Sequence, residues 1–98
     1  MPKLIRDNIQ AIAKKRGEAM NCRIATPEEY RELLRKKLGE EVTEFLGLEE
    51  PEELADILEV VRAIAREKGL TMQHILDLRD KKRKVKGGFD SRLVWDEK

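Results

Sequence analysis

Four carboxylates in two short motifs are the residues of this chain best suited to chemistry. Glu41 and Glu44 stand three residues apart, and Glu53 and Asp56 repeat that spacing a short way on. Residues three apart lie on the same side of a helix, and carboxylate oxygens are the ligands that hard cations such as Mg²⁺ take. Four acids brought together without a cation would repel one another. The spacing therefore predicts a divalent-cation site.

Position around each helix distinguishes a cation site from an ordinary solvated acidic surface. At about 100° per residue, Glu41 falls inside the apolar arc of its predicted helix, and Glu44 lies beside that arc. Glu53 and Asp56 flank the apolar stripe of the next helix, whereas Glu59 faces away from it. A half-buried carboxylate needs a partner to offset its desolvation. The geometry favours the metal site over the solvated face.

The elements that position these acids are predicted to be helices, about four in number, in an all-α fold. Thr26 before Pro27 is typical of an N-cap followed by proline at the first helical position, and Pro51 opens the next helix in the same way. Glycines are predicted to end the helices. The helices are predicted over about 5–16, 27–46, 51–68 and 71–86, with Thr71 as the N-cap of the last. Residues 89–95 are predicted to form a short strand or an extended arm.

The connection between the two acidic helices, residues 47–50, is too short for anything but an antiparallel hairpin. One pair of acids lies within the last two turns before the bend, and the other pair lies within the first two turns after it. All four acids are therefore predicted at the same end of the hairpin, as a shared ion requires. Spacing, phase and loop length point to the same arrangement.

Composition bounds the class of protein. The 98 residues predict a single domain over 1–98, and 42% are charged although the net charge is only +1. This balance argues against a generic nucleic-acid or membrane binder, so neither partner is expected. Cys22 is the only cysteine, which excludes an intrachain disulfide and fits a reducing compartment. No apolar run reaches the length of a membrane span, and the expected location is the cytoplasm.

Assembly is also predicted from size and pattern. One apolar stripe per helix, on four helices in under 100 residues, buries little surface in a single chain. We therefore expect a homodimer that completes a four-helix core, and the pattern leaves open whether two dimers associate further.

The chain resembles the MazG-like superfamily of all-α nucleoside triphosphate pyrophosphohydrolases beyond the paired acids. It is most similar to the small phosphoribosyl-ATP pyrophosphohydrolase-like members, which begin with a Lys-Leu-Val-Arg-Asp-Lys-Ile stretch that the segment 3–9 resembles. Those members commonly end with a basic residue, Gly-Gly-Phe and a later arginine, similar to 86–92 here. The segment 53–60 looks like their third-helix signature. The stretches 10–25 and 65–80 show no such similarity.

The resemblance implies hydrolysis of a nucleoside triphosphate, or a related nucleotide, to the monophosphate and pyrophosphate, with a house-cleaning role as one interpretation. It also implies that Mg²⁺, or Mn²⁺ in its place, is held by Glu41, Glu44, Glu53 and Asp56. Phosphoryl transfer depends on positioning and charge stabilisation, so no cysteine, serine or histidine nucleophile is needed. Glu41 or Glu44 is the expected general base, and the sequence does not choose between them.

Basic residues are expected to contact the phosphates. Lys82 and Lys86 are four apart at positions that resemble the basic pair of the family, and Arg6 and Arg92 are further candidates. The alternative is that the basic run 81–86 is solvated, or that its lysines lie there because positive charge is favourable at a helix C-terminus.

The chain departs from the family pattern in ways that leave the substrate open. Asn8 stands where the family has lysine, and the eight residues between Glu44 and Glu53 are fewer than in many members. A canonical triphosphate, a damaged nucleotide and phosphoribosyl-ATP are all candidate substrates. Two other functions also stay open: a nucleotide-binding regulatory module without turnover, and an interaction protein that grips nucleic acid or an acidic partner through residues 81–86.

Overall fold

The computed structural model describes residues 2–96, and that part of the chain is helical with no strand. The helices are α1 (Ile9–Lys15), α2 (Pro27–Leu48), α3 (Pro51–Glu67) and α4 (Met72–Lys86). The prediction of an all-α fold with four helices is confirmed. Closure of a four-helix core by a second copy stays a prediction.

Local signals in the sequence explain why α2 and α4 begin where they do. Thr26 is extended, and its hydroxyl accepts a hydrogen bond from the Glu29 N–H at 3.2 Å. Thr71 accepts from the His74 N–H at 3.1 Å in the same way. Each threonine satisfies a backbone donor that has no partner within the helix. Both predicted N-caps are therefore confirmed.

The end of α2 differs from the prediction, because the helix continues through Gly47 to Leu48. Glu49 then adopts a left-handed conformation with φ of 53°, and its N–H donates to the Phe45 carbonyl at 2.6 Å. Pro51 disfavours helical geometry in the residue before it, and Glu50 is accordingly extended. The turn is therefore made by Glu49 and Glu50, which shortens the connection between α2 and α3 to two residues.

Helix α1 begins at Ile9, later than the predicted start at Ile5. The Arg6 side chain pairs with Asp56 on α3, which holds this segment near α3 in place of a further helical turn. The predicted stop is confirmed, since Gly17 follows the helix with φ of 79°. No Cα atom of α1 lies within 8 Å of another helix in the described part of the chain.

The core is small and lies between α2 and α3. Leu33 and Leu34 of α2 and Val60 and Ala65 of α3 are buried, and α4 packs on α3 without burying any residue of its own. The radius of gyration is 17.4 Å, against about 13 Å for a compact chain of this length. The accessible surface is 9097 Å², against about 5800 Å² for a compact monomer of this mass. Much apolar surface of the single chain is therefore exposed to solvent.

After α4 the chain forms a turn at residues 89–91 and then an arm without regular structure. The Arg92 N–H donates to the Phe89 carbonyl at 3.1 Å, and Arg92 itself has a positive φ of 58°. The apolar side chains of this arm are exposed, Phe89 and Trp95 among them. Of the two predicted forms, the arm is the one that the described residues adopt.

Within residues 2–96, none of the helices combines the length and the apolar character that crossing a bilayer requires.

The N-cap of α2 provides a test of how this helix is held. Replacing Thr26→Ala leaves the Glu29 N–H without its acceptor, and we expect the free energy of unfolding to fall by about 1 kcal/mol. Denaturant unfolding followed by circular dichroism measures this change. Thr43→Ala, at an exposed position in the second half of the same helix, is the matched control and should change stability by less than about 0.5 kcal/mol. Equal effects of the two replacements would contradict a capping role.

Candidate metal centre

The short connection between α2 and α3 brings three of the four predicted acids together. One carboxylate oxygen from each of Glu41, Glu53 and Asp56 lies within 4.8 Å of the others. Glu41 comes from the second half of α2, and the other two come from the first two turns of α3. No other such group of three potential metal ligands occurs in the part of the chain that the structure describes. We call these three residues the acid cluster.

Glu41 is the only charged side chain that is buried among the described residues, with 7% of its surface exposed. Its Oε2 atom accepts no hydrogen bond from the protein, and its Oε1 atom lies 3.7 Å from the Lys37 Nζ. Burial raises the pKa of the Glu41 carboxyl, the nearby Glu44 charge raises it further, and Lys37 opposes the shift. A buried oxygen without a donor, beside two other carboxylates, is what a cation would satisfy.

Glu53 is half-buried, and the environment disfavours its charge as well. Desolvation raises the pKa of the Glu53 carboxyl above its ordinary value, and the charges of Asp56, Glu44 and Glu41 add to the rise. Carboxylates that share a small volume cannot all ionise without cost. The acid cluster is therefore arranged so that positive charge placed among its oxygens would be stabilising.

Glu44 lies one turn after Glu41 on α2 and remains exposed, outside the group of three. Its charge nevertheless contributes to the raised pKa of both Glu41 and Glu53, so it stands at the edge of the acid cluster. The prediction that Glu44 is a metal ligand or general base is not settled by this placement and stays a prediction.

Two basic residues flank the acid cluster. Arg6 Nη2 donates to Asp56 Oδ1 at 2.7 Å, which brings one of the four predicted phosphate-binding residues to the acids. Lys37 lies near Glu41 and also near Glu40, with its Nζ 3.8 Å from the Glu40 Oε2. Lys37 was not among the residues predicted from sequence. Lys37 stands four residues before Glu41, a spacing that places the two on one face of α2.

The other three predicted phosphate-binding residues are not brought to the acids within one chain. Lys82, Lys86 and Arg92 are exposed on α4 and the arm, and none of them forms an ion pair with an acid in residues 2–96. None of them contributes to the shifted pKa of Glu41 or Glu53. Their contact with phosphate stays a prediction.

A cavity of about 270 Å³ lies at the turn between α3 and α4, away from the acid cluster. It is lined by Arg62, Arg66, Leu70, Thr71 and Met72. None of the predicted site residues lines it. We therefore locate the candidate centre by its carboxylates and not by the size of a cavity.

The raised pKa of Glu41 predicts a dependence of stability on pH in the absence of divalent cations. The ordinary pKa of a glutamate is 4.5, and a raised value in the folded protein means that folding takes up a proton between the two values. The contribution of Glu41 to stability is therefore present below pH 4.5 and is lost as pH rises through the raised pKa. With EDTA at pH 7.5, we expect Glu41→Gln to be more stable than wild type by about 1 kcal/mol, and this advantage should vanish below pH 4.5.

Thermal unfolding at several pH values, with EDTA and with Mg²⁺, measures this difference. Glu32→Gln, an exposed position on the same helix, is the matched control and should follow wild type. Saturating Mg²⁺ should stabilise wild type more than Glu41→Gln. A Glu41→Gln protein that is less stable than wild type in EDTA at pH 7.5 would show that the buried carboxylate is satisfied without a cation.

No protein-family model, curated protein or solved structure matches this chain. The resemblance of its motifs to the pyrophosphohydrolases therefore stays a prediction. What bears on function is the geometry of the acid cluster itself.

Proposed function

We propose that this protein is a divalent-cation-dependent pyrophosphohydrolase that cleaves a nucleoside triphosphate, or a phosphoribosyl-ATP-like nucleotide, to the monophosphate and pyrophosphate. The observation that carries the proposal is the convergence of Glu41, Glu53 and Asp56 from two helices around a buried carboxylate oxygen without a donor. The resemblance of the motifs at both ends of the chain supports the choice of substrate class. The expected setting is the cytoplasm.

The acid cluster would hold Mg²⁺, or Mn²⁺, through oxygens of Glu41, Glu53 and Asp56, with Glu44 at its edge. All four are hard oxygen ligands, which suits either ion. A bound cation would neutralise phosphate oxygens and lower the pKa of an attacking water. Glu41 and Glu44 are the two residues proposed to accept the proton from that water, and the exposed Glu44 carboxylate is the more accessible of the two.

Positive side chains would complete the phosphate site. Arg6 is already next to the acid cluster through Asp56, and its planar guanidinium suits phosphate oxygens. Lys82 and Lys86, on α4, would have to approach from a second copy of the chain. Arg92 could approach from a second copy or by movement of the arm about Gly87, which has a positive φ of 83°.

Release of pyrophosphate from a panel of triphosphates and phosphoribosyl-ATP, with Mg²⁺ and with EDTA, tests the proposal. We expect release with Mg²⁺ and none with EDTA. Glu53→Gln should lower kcat/KM by at least about 100-fold because it removes a charged ligand from the reaction centre. Glu52→Gln is the matched control, since Glu52 is exposed in the same turn of α3, and it should keep the wild-type rate.

Two other outcomes would replace the enzyme with a different function. Nucleotide binding that depends on Mg²⁺, without any release of pyrophosphate, would indicate a regulatory module. Nucleic-acid binding that weakens steeply with salt and ignores Glu53→Gln would indicate an interaction protein that uses the exposed residues 81–86.

We also propose that two copies associate through the apolar faces of their helices, and that two such dimers can associate further. The excess of accessible surface over a compact monomer is about 3300 Å² per chain, which is ample for a stable dimer. Large apolar side chains are exposed on all four helices, among them Ile12, Leu46, Leu54, Leu58 and Leu78. A second copy would cover these side chains and enlarge the small core.

Sedimentation at micromolar concentration tests the association, and we expect a dimer or a tetramer. Leu58→Glu should weaken association by at least about 100-fold, because it would bury an unpaired charge. Ile24→Glu is the matched control, since Ile24 is 95% exposed and lies outside the helices; it should leave association unchanged. A monomeric wild-type protein would exclude the proposed dimer.

A further inference from the structure

The ion pair between Arg6 and Asp56 uses one of the carboxylates that would hold the cation. Arg6 Nη2 lies 2.7 Å from Asp56 Oδ1, and an oxygen of Asp56 lies within 4.8 Å of oxygens from Glu41 and Glu53. The guanidinium therefore sits at the edge of the acid cluster as a positive charge supplied by the protein itself.

This ion pair is also the main polar link between the N-terminal segment and the helices that carry the acids. Residues 2–8 form no regular helix, and α1 after them has only seven residues. Among the hydrogen bonds and ion pairs of the described residues, Arg6 to Asp56 is the one that joins residues 2–17 to α2, α3 or α4. Leu4 is half-buried and Ala13 is buried.

We propose that Arg6 and a divalent cation compete for Asp56, so that cation binding releases the N-terminal segment and frees the Arg6 guanidinium. The inference rests on the proposed metal site. Without Arg6, the three acids of the cluster and Lys37 carry a net charge of about −2 when ionised. A divalent cation brings that charge to about zero, so the attraction that holds the guanidinium beside Asp56 is lost.

Linkage makes the competition reciprocal. If a bound cation weakens the binding of Arg6 to Asp56, then the Arg6–Asp56 ion pair weakens the binding of the cation by the same factor. The released guanidinium keeps its planar set of donors, which match phosphate oxygens. Cation binding would in this way prepare a phosphate contact on the same side of the acid cluster.

Mn²⁺ affinity in the absence of nucleotide, measured by electron paramagnetic resonance, tests the competition. We expect Arg6→Ala to bind Mn²⁺ roughly fivefold more tightly than wild type, the scale of one exposed ion pair removed. Arg6→Lys, which keeps the charge on a flexible stem, should stay within about twofold of wild type. Lys3→Ala removes one charge from the same segment without touching the acid cluster, and it should also stay within about twofold. Equal tightening by Arg6→Ala and Lys3→Ala would overturn the proposal.

A measurement of backbone motion distinguishes competition for Asp56 from an Arg6–Asp56 contact that persists when the cation binds. The heteronuclear ¹⁵N NOE of amides 3–8 reports motion on the picosecond to nanosecond timescale. In wild type we expect it to fall when Mg²⁺ saturates the protein, and in Arg6→Ala it should be low with or without Mg²⁺. An unchanged NOE in wild type with Mg²⁺ bound would mean that Arg6 stays on Asp56, which overturns this inference alone. Failure of wild type to bind Mn²⁺ or Mg²⁺ would instead overturn the proposed metal site.

Discussion

The Glu41 carboxylate is buried where α2 packs against α3, and this burial disfavours its charge. A leucine at this position would extend the apolar seam that Leu33, Leu34 and Val60 form, whereas the acid is desolvated and lies beside other acids. Placing charge there opposes stability. Such a departure from consistent packing is expected at functional sites, and in this fold it coincides with the convergence of Glu41, Glu53 and Asp56.

The short connection between α2 and α3 holds the buried Glu41 close to the acids of α3. A connection of two residues fixes α3 against α2 with little freedom, and proline at the start of α3 holds the bend. The acids therefore come from regular helices, which position side chains more accurately than loops do. The two basic side chains beside the acid cluster are held differently. Lys37 lies on α2 itself, whereas Arg6 lies in a segment with few other polar contacts to the helices. Lys37 is thus fixed on the helix that carries Glu41, whereas the polar contact of Arg6 is its ion pair with Asp56.

The features that sequence predicted well are those with local causes. The caps at Thr26 and Thr71, the starts at Pro27 and Pro51 and the meeting of three acids all follow from spacing along one helix or one short turn. The features that were not predicted depend on contacts between residues distant in sequence, or on small differences in backbone preference between residue types. Arg6 meets Asp56 across 50 residues, and the left-handed Glu49 takes a role that glycine usually fills.

The charges around the acid cluster connect the proposed chemistry to the proposed assembly. With Glu44 included, four carboxylates face Lys37 and Arg6, and one divalent cation would balance the remaining charge of about −2 when all are ionised. A triphosphate would then bring negative charge that this arrangement does not offset. Part of the positive charge that forms no ion pair within residues 2–96 lies on α4 and the arm, where Lys82, Lys86 and Arg92 are exposed. One chain does not bring these three residues to the acids. A phosphate site that uses them would therefore need a second copy to supply Lys82 and Lys86, and either that copy or a movement of the arm to supply Arg92.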